Sequence, residues 1–199
     1  MKNIIISDVT LRDGNHAVKH QISKNIIKIY SKFAETNKID ILEVGHGNGL
    51  GASSLTIGRS KVSNVDSIKL AKKNLKKTKL SVHSIPGFST LDDVKSAIDN
   101  GVDIVRVGCN SLDIDIIERQ ILFCKKNKVE SWCVFMMFHQ IYANNQYVSI
   151  VKNLKKLGIK TFIVMDSAGI LLPDDIKKIF TNLKRLNVRS GFHGHNNLG

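Results

Sequence analysis

A chain of 199 residues, 42% hydrophobic and 24% charged, is long enough to bury one sizeable core and has the composition of a soluble globular protein. No apolar stretch approaches the ~20 residues that cross a bilayer, and 6% aromatic residues leave no stacking platform for single-stranded nucleic acid. The formal charge of +13 comes from lysines dispersed at helical spacings, which reads as solvated helix faces and not as a nucleic-acid or membrane patch.

The chain alternates short β-like runs with longer helical segments. Asn3–Ser7, rich in Ile, reads as the first strand. A helix over Ser23–Asn37 follows, with Ser23 as N-cap and Ile26, Ile27, Ile29, Tyr30 and Phe33 on its apolar side. Asp40–Val44 is the second strand, Ser63–Lys76 a helix, and Lys79–His83 the third strand, ended by Pro86-Gly87. Thr90 caps a helix to Asn100 that Gly101 closes. Strand four is Asp103–Val107, followed by a helix over Ile114–Asn127. Ser131–Met137 is almost wholly apolar, as a parallel strand buried on both faces should be. A helix over Asn145–Leu157 stops at Gly158, and Thr161–Met165 is strand six. Pro173 opens a helix to Leu186, where its missing N–H costs nothing, and Val188–His193 is strand seven.

Strand–helix alternation of this kind predicts right-handed βαβ crossovers and a parallel sheet. Seven such strands predict an α/β fold of the TIM (β/α)8 barrel type, read as a single catalytic domain over 1–199. The pattern stops after strand seven, whereas a typical barrel runs to about 250 residues. The chain therefore reads as a barrel without its C-terminal part or any C-terminal helical domain. Cys109, Cys124 and Cys133 show no CxxC spacing and fit reduced thiols in a cytoplasmic protein.

Chemistry in a (β/α) barrel sits at the C-terminal ends of the strands. Arg12 and Asp13 follow strand one, Gly45-His46-Gly47 strand two and Asp166-Ser167 strand six, while His193 and His195 end strand seven. His193 and His195 are two residues apart on a strand, so both point to one face. With Asp13 they offer two nitrogens and one oxygen, leaving about half of an octahedron for water and a bidentate substrate. Mixed nitrogen and oxygen ligation without thiolate points to Mn²⁺ or Mg²⁺, with Zn²⁺ or Co²⁺ able to substitute. The plainer reading of the pair is two solvated histidines.

Arg12 is a fork-shaped, permanently charged donor suited to the oxygen of a developing enolate. Its plainer role is an ion pair with Asp8 or Glu43. His16 titrates near neutral pH and suits a general base, with His20 a nearby loop histidine. Ser167 reads either as a substrate contact or as a cap on the turn towards Pro173, and Asp166 as structural. Arg12, Asp13, Ser167 and His193 are the expected substrate contacts. The run His46-Gly47-Asn48-Gly49-Leu50-Gly51 lacks the GxGxxG order and a P-loop lysine, so it reads as a substrate-covering loop. His83 and His139 read as supporting residues at the ends of strands three and five.

The motif Asp8-Val9-Thr10-Leu11-Arg12-Asp13-Gly14 with His193-Gly194-His195 is similar to the pyruvate-carboxylate-lyase superfamily of HMG-CoA-lyase-like TIM-barrel metal enzymes. Within it the chain resembles the 4-hydroxy-2-oxovalerate aldolases. The shared features are His16 with His20-Gln21, Glu43 to Leu50 with Ser53-Ser54, Met136-Met137, Asp166-Ser167-Ala168-Gly169 and Gly191 to Leu198. The resemblance implies divalent-metal-dependent retro-aldol cleavage of 4-hydroxy-2-oxopentanoate to pyruvate and acetaldehyde, through a pyruvate enolate held at the metal. It implies Asp13, His193 and His195 as ligands of Mn²⁺, His16 as base towards the 4-hydroxyl, Arg12 at the enolate and Ser167 at the substrate. It also implies an oligomer and an acylating acetaldehyde dehydrogenase as partner of the longer protein. Two alternatives stay open, an acyl-CoA-dependent Claisen-type enzyme of the same superfamily and a non-catalytic barrel fragment.

Overall fold

The structure is a computed structural model that describes residues 4–197. Its elements are β1 Ser7–Leu11, α1 Lys24–Thr36, β2 Ile41–Val44, α2 Asn64–Asn74, β3 Lys79–Ser84, α3 Leu91–Asp99 and β4 Ile104–Asn110. They continue with α4 Glu118–Lys126, β5 Glu130–Met136, α5 His139–Tyr142, α6 Gln146–Lys156, β6 Thr161–Asp166, α7 Pro173–Arg185 and β7 Arg189–Gly194. Strand order follows chain order from β1 to β7. That singly wound order belongs to the (β/α) barrel class, since a doubly wound sheet reverses its strand order at a switch point. Seven strands are found among the described residues, as the sequence predicts.

The chain divides into two compact units. The first runs to Arg106 and includes Phe123–Glu130. In it β2 pairs in parallel with β1 and β3, in the registers Ser7↔Ile41 and Ile41↔Lys79. All four residues of β2 are buried, which places Glu43 in the middle of an apolar strand. Each helix here starts on a side-chain cap. Ser23 Oγ accepts the N–H of Ile26, Ser63 Oγ that of Asp66, and Thr90 and Asp93 form a reciprocal capping box.

Two expectations change in this unit. The first strand runs over Ser7–Leu11, not Asn3–Ser7. Asn3 lies outside the described residues, and Ile4, Ile5 and Ile6 are exposed. The pairing Ser7↔Ile41 and Asp8↔Leu42 fixes the strand at polar positions, so register outweighs the hydrophobic run upstream. On α1 the buried stripe is Ile27, Ser31 and Ala34, at i, i+4 and i+7, while Ile26, Ile29 and Phe33 face outwards.

The second unit comprises Val107–Leu122 and the chain from Ser131 onwards. In it β6 pairs in parallel with β5 and β7, with Val134↔Ile163 and Met165↔His193 among the partners. Every residue of β6 is buried. Phe135, Phe138, Tyr147 and Phe162 form an aromatic core with neighbouring ring centroids 5.2–6.0 Å apart. The hydroxyl of Tyr147 accepts a 2.8 Å bond from Asn182 Nδ2, so the one polar tip in this cluster is satisfied. α7 starts at Pro173, and Asp175 takes the backbone N–H of Leu172. The short helix α5 is absent from the sequence reading. Only four residues long, it offers too few positions for a helical period.

Candidate functional site

In the first unit a buried charge network forms around Glu43. The Arg12 guanidinium donates from Nε to Glu43 Oε1 at 2.6 Å and from Nη1 to Asp13 Oδ1 at 2.8 Å and the Gly47 carbonyl at 3.1 Å. Arg106 Nη1 bridges both Glu43 oxygens at 2.8 and 2.9 Å. Burial alone would raise the Glu43 carboxyl, but the charges of Arg106 and Arg12 overcome it and hold the group well below the ordinary carboxylate range. Arg12 is therefore pinned through two of its nitrogens. Its Nη2 is buried and has no hydrogen-bond partner among the described residues. A buried, unpaired, permanently charged donor at the end of β1 suits an incoming oxygen anion. Of the two ion-pair partners open to Arg12 in the sequence, Glu43 is the one found. Asp8 instead accepts the Thr10 N–H and the Tyr30 hydroxyl.

Asp13 starts a short 3₁₀ turn that ends at His16. The imidazole of His16 meets that of His20 edge-on at 5.1 Å, and His20 stacks on His46 at 3.7 Å. Both His20 and His46 are buried, whereas His16 is exposed. Burial, and then neighbouring imidazoles, lower the pKa of His20. Burial also lowers that of His46 against the opposing effect of its bond to Gly58. The loop after β2 carries His46, the stacking partner of His20. His83 lies buried on β3, near enough to Glu43 to favour its ionised form. His139 starts α5 and does not end a strand.

In the second unit His193 lies on β7 and His195 just after it. Their rings are near-parallel with centroids 5.0 Å apart, although the strand ends at Gly194, between them. His195 Nδ1 lies 2.9 Å from the carbonyl oxygen of Asp166. A carbonyl only accepts, so Nδ1 carries a proton and the bond to Asp166 fixes the orientation of the ring. Gly169, at φ +62, lets the loop after β6 lie against this segment, for a Cβ there would sit 2.6 Å from the His195 carbonyl oxygen.

Asp166 is structural, as its sequence context suggests, and its carboxylate caps the N–H groups of Ile170 and Leu171. Ser167 Oγ accepts the N–H of Met137 at 3.0 Å and retains its own proton to donate. Met137 itself has φ +52, so Ser167 helps hold a left-handed residue at the end of β5.

All three cysteines are free and buried. Burial, and then Asp113 and Asp115, push the Cys109 thiol up to about 12. Burial pushes Cys124 up to about 12 as well, and Cys133 well above its ordinary value. Sequence reasoning missed Arg106, Gly47 and the stacking of His20. The one available signal was Glu43 inside Ile41-Leu42-Glu43-Val44, since a carboxylate in a buried strand requires a cation.

Residues 3–199 match the HMGL-like family. The chain is 40% identical over 200 residues to 4-hydroxy-2-oxovalerate aldolase of Pectobacterium atrosepticum, covering 100% of the chain and 58% of that protein. It is 42% identical over 198 residues to the enzyme of the same name from Spirochaeta aurantia, covering 98% of the chain and 58% of that protein. The chain therefore spans under three-fifths of the length of these relatives. Among solved structures, the N-terminal domain of a candidate aldolase from Bacteroides vulgatus matches with TM-score 0.83 at 24% identity, over 98% of this chain and 66% of that one. The carboxyl transferase domain of Rhizobium etli pyruvate carboxylase matches with TM-score 0.80 at 17% identity, over 98% of this chain and 36% of that one. Both structural matches concern the fold alone.

Proposed function

The chain belongs to the HMGL-like family, and from that premise we propose a divalent-metal-dependent aldolase that cleaves 4-hydroxy-2-oxopentanoate to pyruvate and acetaldehyde. The observation that carries the reading is Arg12, locked by Glu43, Asp13 and Gly47 with Nη2 buried and unpaired. In this reading Nη2 meets the oxygen on which enolate charge develops. A fixed donor of this kind costs no reorganisation as the bond breaks.

Asp13, His193 and His195 are the proposed metal ligands. What supports them is the donor set, one carboxylate and two imidazoles, and the hydrogen bond from His195 Nδ1 to the Asp166 carbonyl that orients the ring. Two nitrogens, one oxygen and no thiolate suit a divalent cation, for which the family resemblance favours Mn²⁺, with Mg²⁺ and Co²⁺ as substitutes. A cation bound there would act as a Lewis acid on the 2-oxo acid and orient it.

The chain's own residues supply the remaining chemistry. His16 takes the proton of the 4-hydroxyl as the bond between C3 and C4 breaks. The electron pair of that bond passes to the 2-oxo group as the enolate of pyruvate, whose oxygen Arg12 stabilises. Acetaldehyde leaves, the enolate gains a proton at C3 from water to give pyruvate, and His16 returns the proton it took to solvent. Ser167 donates its free hydroxyl proton to the substrate. A cytoplasmic location belongs to this reading and is supported by three buried free cysteines.

The test is release of pyruvate from 4-hydroxy-2-oxopentanoate with Mn²⁺ and with a chelator. The reading expects release with Mn²⁺ only, falling by about 10² or more in His16→Ala. Release that survives chelation, or a His16→Ala variant as active as wild type, would remove the mechanism.

A further inference from the structure

His16 is the one exposed member of a three-imidazole cluster, and the other two members are fixed. His46 Nε2 lies 3.0 Å from the Gly58 carbonyl, so it carries a proton, and His46 Nδ1 accepts the Asn48 N–H at 3.0 Å. Both ring nitrogens are committed, which leaves His46 one neutral tautomer and one orientation. His20 lies on this ring at 3.7 Å with planes 21° apart. Its own backbone is left-handed at φ +61, a conformation uncommon outside glycine. The Asn15 carbonyl accepts its N–H at 2.8 Å, and its carbonyl accepts that of Lys61.

Gly47 completes the arrangement. Its N–H donates to His20 Nδ1 at 3.4 Å and its carbonyl accepts from Arg12. A Cβ at this position would sit 2.5 Å from His16 Nε2. The His16 ring therefore rests against the bare Cα of Gly47 on one side and meets the edge of His20 on another.

We infer that His20, stacked on His46 and backed by Gly47, is a positioning residue that sets the orientation of the His16 imidazole. An exposed histidine without this seat samples several rotamers, and misplacement of a base by about 1 Å costs on the order of 10²-fold. The inference rests on the reading of His16 as the base.

The test compares His20→Ala, His20→Phe and Gly47→Ala with wild type and His16→Ala. Pyruvate release from 4-hydroxy-2-oxopentanoate is one readout, and the ¹⁵N and ¹H shifts of the His16 ring are the other. Phe keeps a flat ring against His46 and an edge towards His16, whereas Ala keeps neither. The expected result is a kcat about 10-fold or more lower in His20→Ala with little change in KM, and rescue to within about threefold in His20→Phe. The His16 ring shifts move in His20→Ala and return in His20→Phe. Gly47→Ala, whose Cβ crowds the His16 ring directly, lowers kcat and moves the same shifts, and stands in if His20→Ala does not fold.

Wild-type His16 shifts in both His20→Ala and Gly47→Ala would overturn the inference. So would a His20→Phe variant as impaired as His20→Ala, since the imidazole chemistry of His20 would then be what matters. A His16→Ala variant with wild-type activity would instead remove the base assignment, and the ring shifts would still decide the positioning.

Discussion

At the scale of single residues the first unit is organised by one carboxylate. Glu43 is fully buried between Arg12 and Arg106, both also buried. Removing its charge leaves two cations in a low-dielectric interior with too few partners. Glu43→Gln should therefore cost about 3–5 kcal/mol in urea unfolding, and a loss below about 1 kcal/mol would show the network to be incidental. Arg12→Lys makes a different point. Lysine keeps the charge but cannot reach Glu43, Asp13 and Gly47 from one planar fork, so pyruvate release should fall by about 10² or more while the fold survives.

The buried imidazoles add a pH dependence. His20 and His46 have folded pKa values below the ordinary 6.5 of the unfolded chain. The unfolded state then binds more protons as pH falls, so their contribution is complete above about pH 6.5 and lost progressively below it. The thermal midpoint should drop between pH 7.5 and 5.5, and His46→Gln should flatten that drop. Equal slopes in the two proteins would assign the acid sensitivity elsewhere.

At the scale of elements, what the sequence made legible depended on local signals. Ser23, Ser63 and Thr90 mark helix starts because a short polar side chain before an apolar run takes an orphan N–H, and all three do so. Thr90→Ala, which breaks a complete capping box, should cost about 1 kcal/mol and lower Tm by roughly 2–4 °C. The misplaced first strand had no comparable local signal. Ile4 to Ile6 are more apolar than Ser7 to Thr10, yet pairing with β2 selects the polar segment.

The face of α1 was misread for a related reason. Ile26, Ile27, Ile29, Tyr30 and Phe33 cover too much of the helix to define one side, and the buried stripe runs instead through the small residues Ser31 and Ala34. Ile27→Ala should thus cost about 2 kcal/mol or more and Ile29→Ala under about 0.5 kcal/mol. Denaturant midpoints that fall equally would put the sequence's broader stripe back in the core.

At the scale of the whole molecule the fold class was legible because alternation of strand and helix repeats seven times, and chain order and sheet order then coincide. The candidate site was legible only where residue type announces chemistry. Arg12, Asp13, His16, His193 and His195 stand out in the sequence by type and spacing. Arg106, Gly47 and the partners of His20 do not, for their roles arise from tertiary neighbours tens of residues away. No helix among the described residues is long and apolar enough to cross a membrane.

The central proposal is that Asp13, His193 and His195 serve as ligands of one divalent cation. Titration with Mn²⁺, followed by loss of the free-ion electron paramagnetic resonance signal, tests it in wild type and in His195→Ala. The account predicts one tight Mn²⁺ per chain in wild type and affinity at least about 10-fold weaker in the variant. Equal binding by the two proteins, or no binding by either, would contradict it.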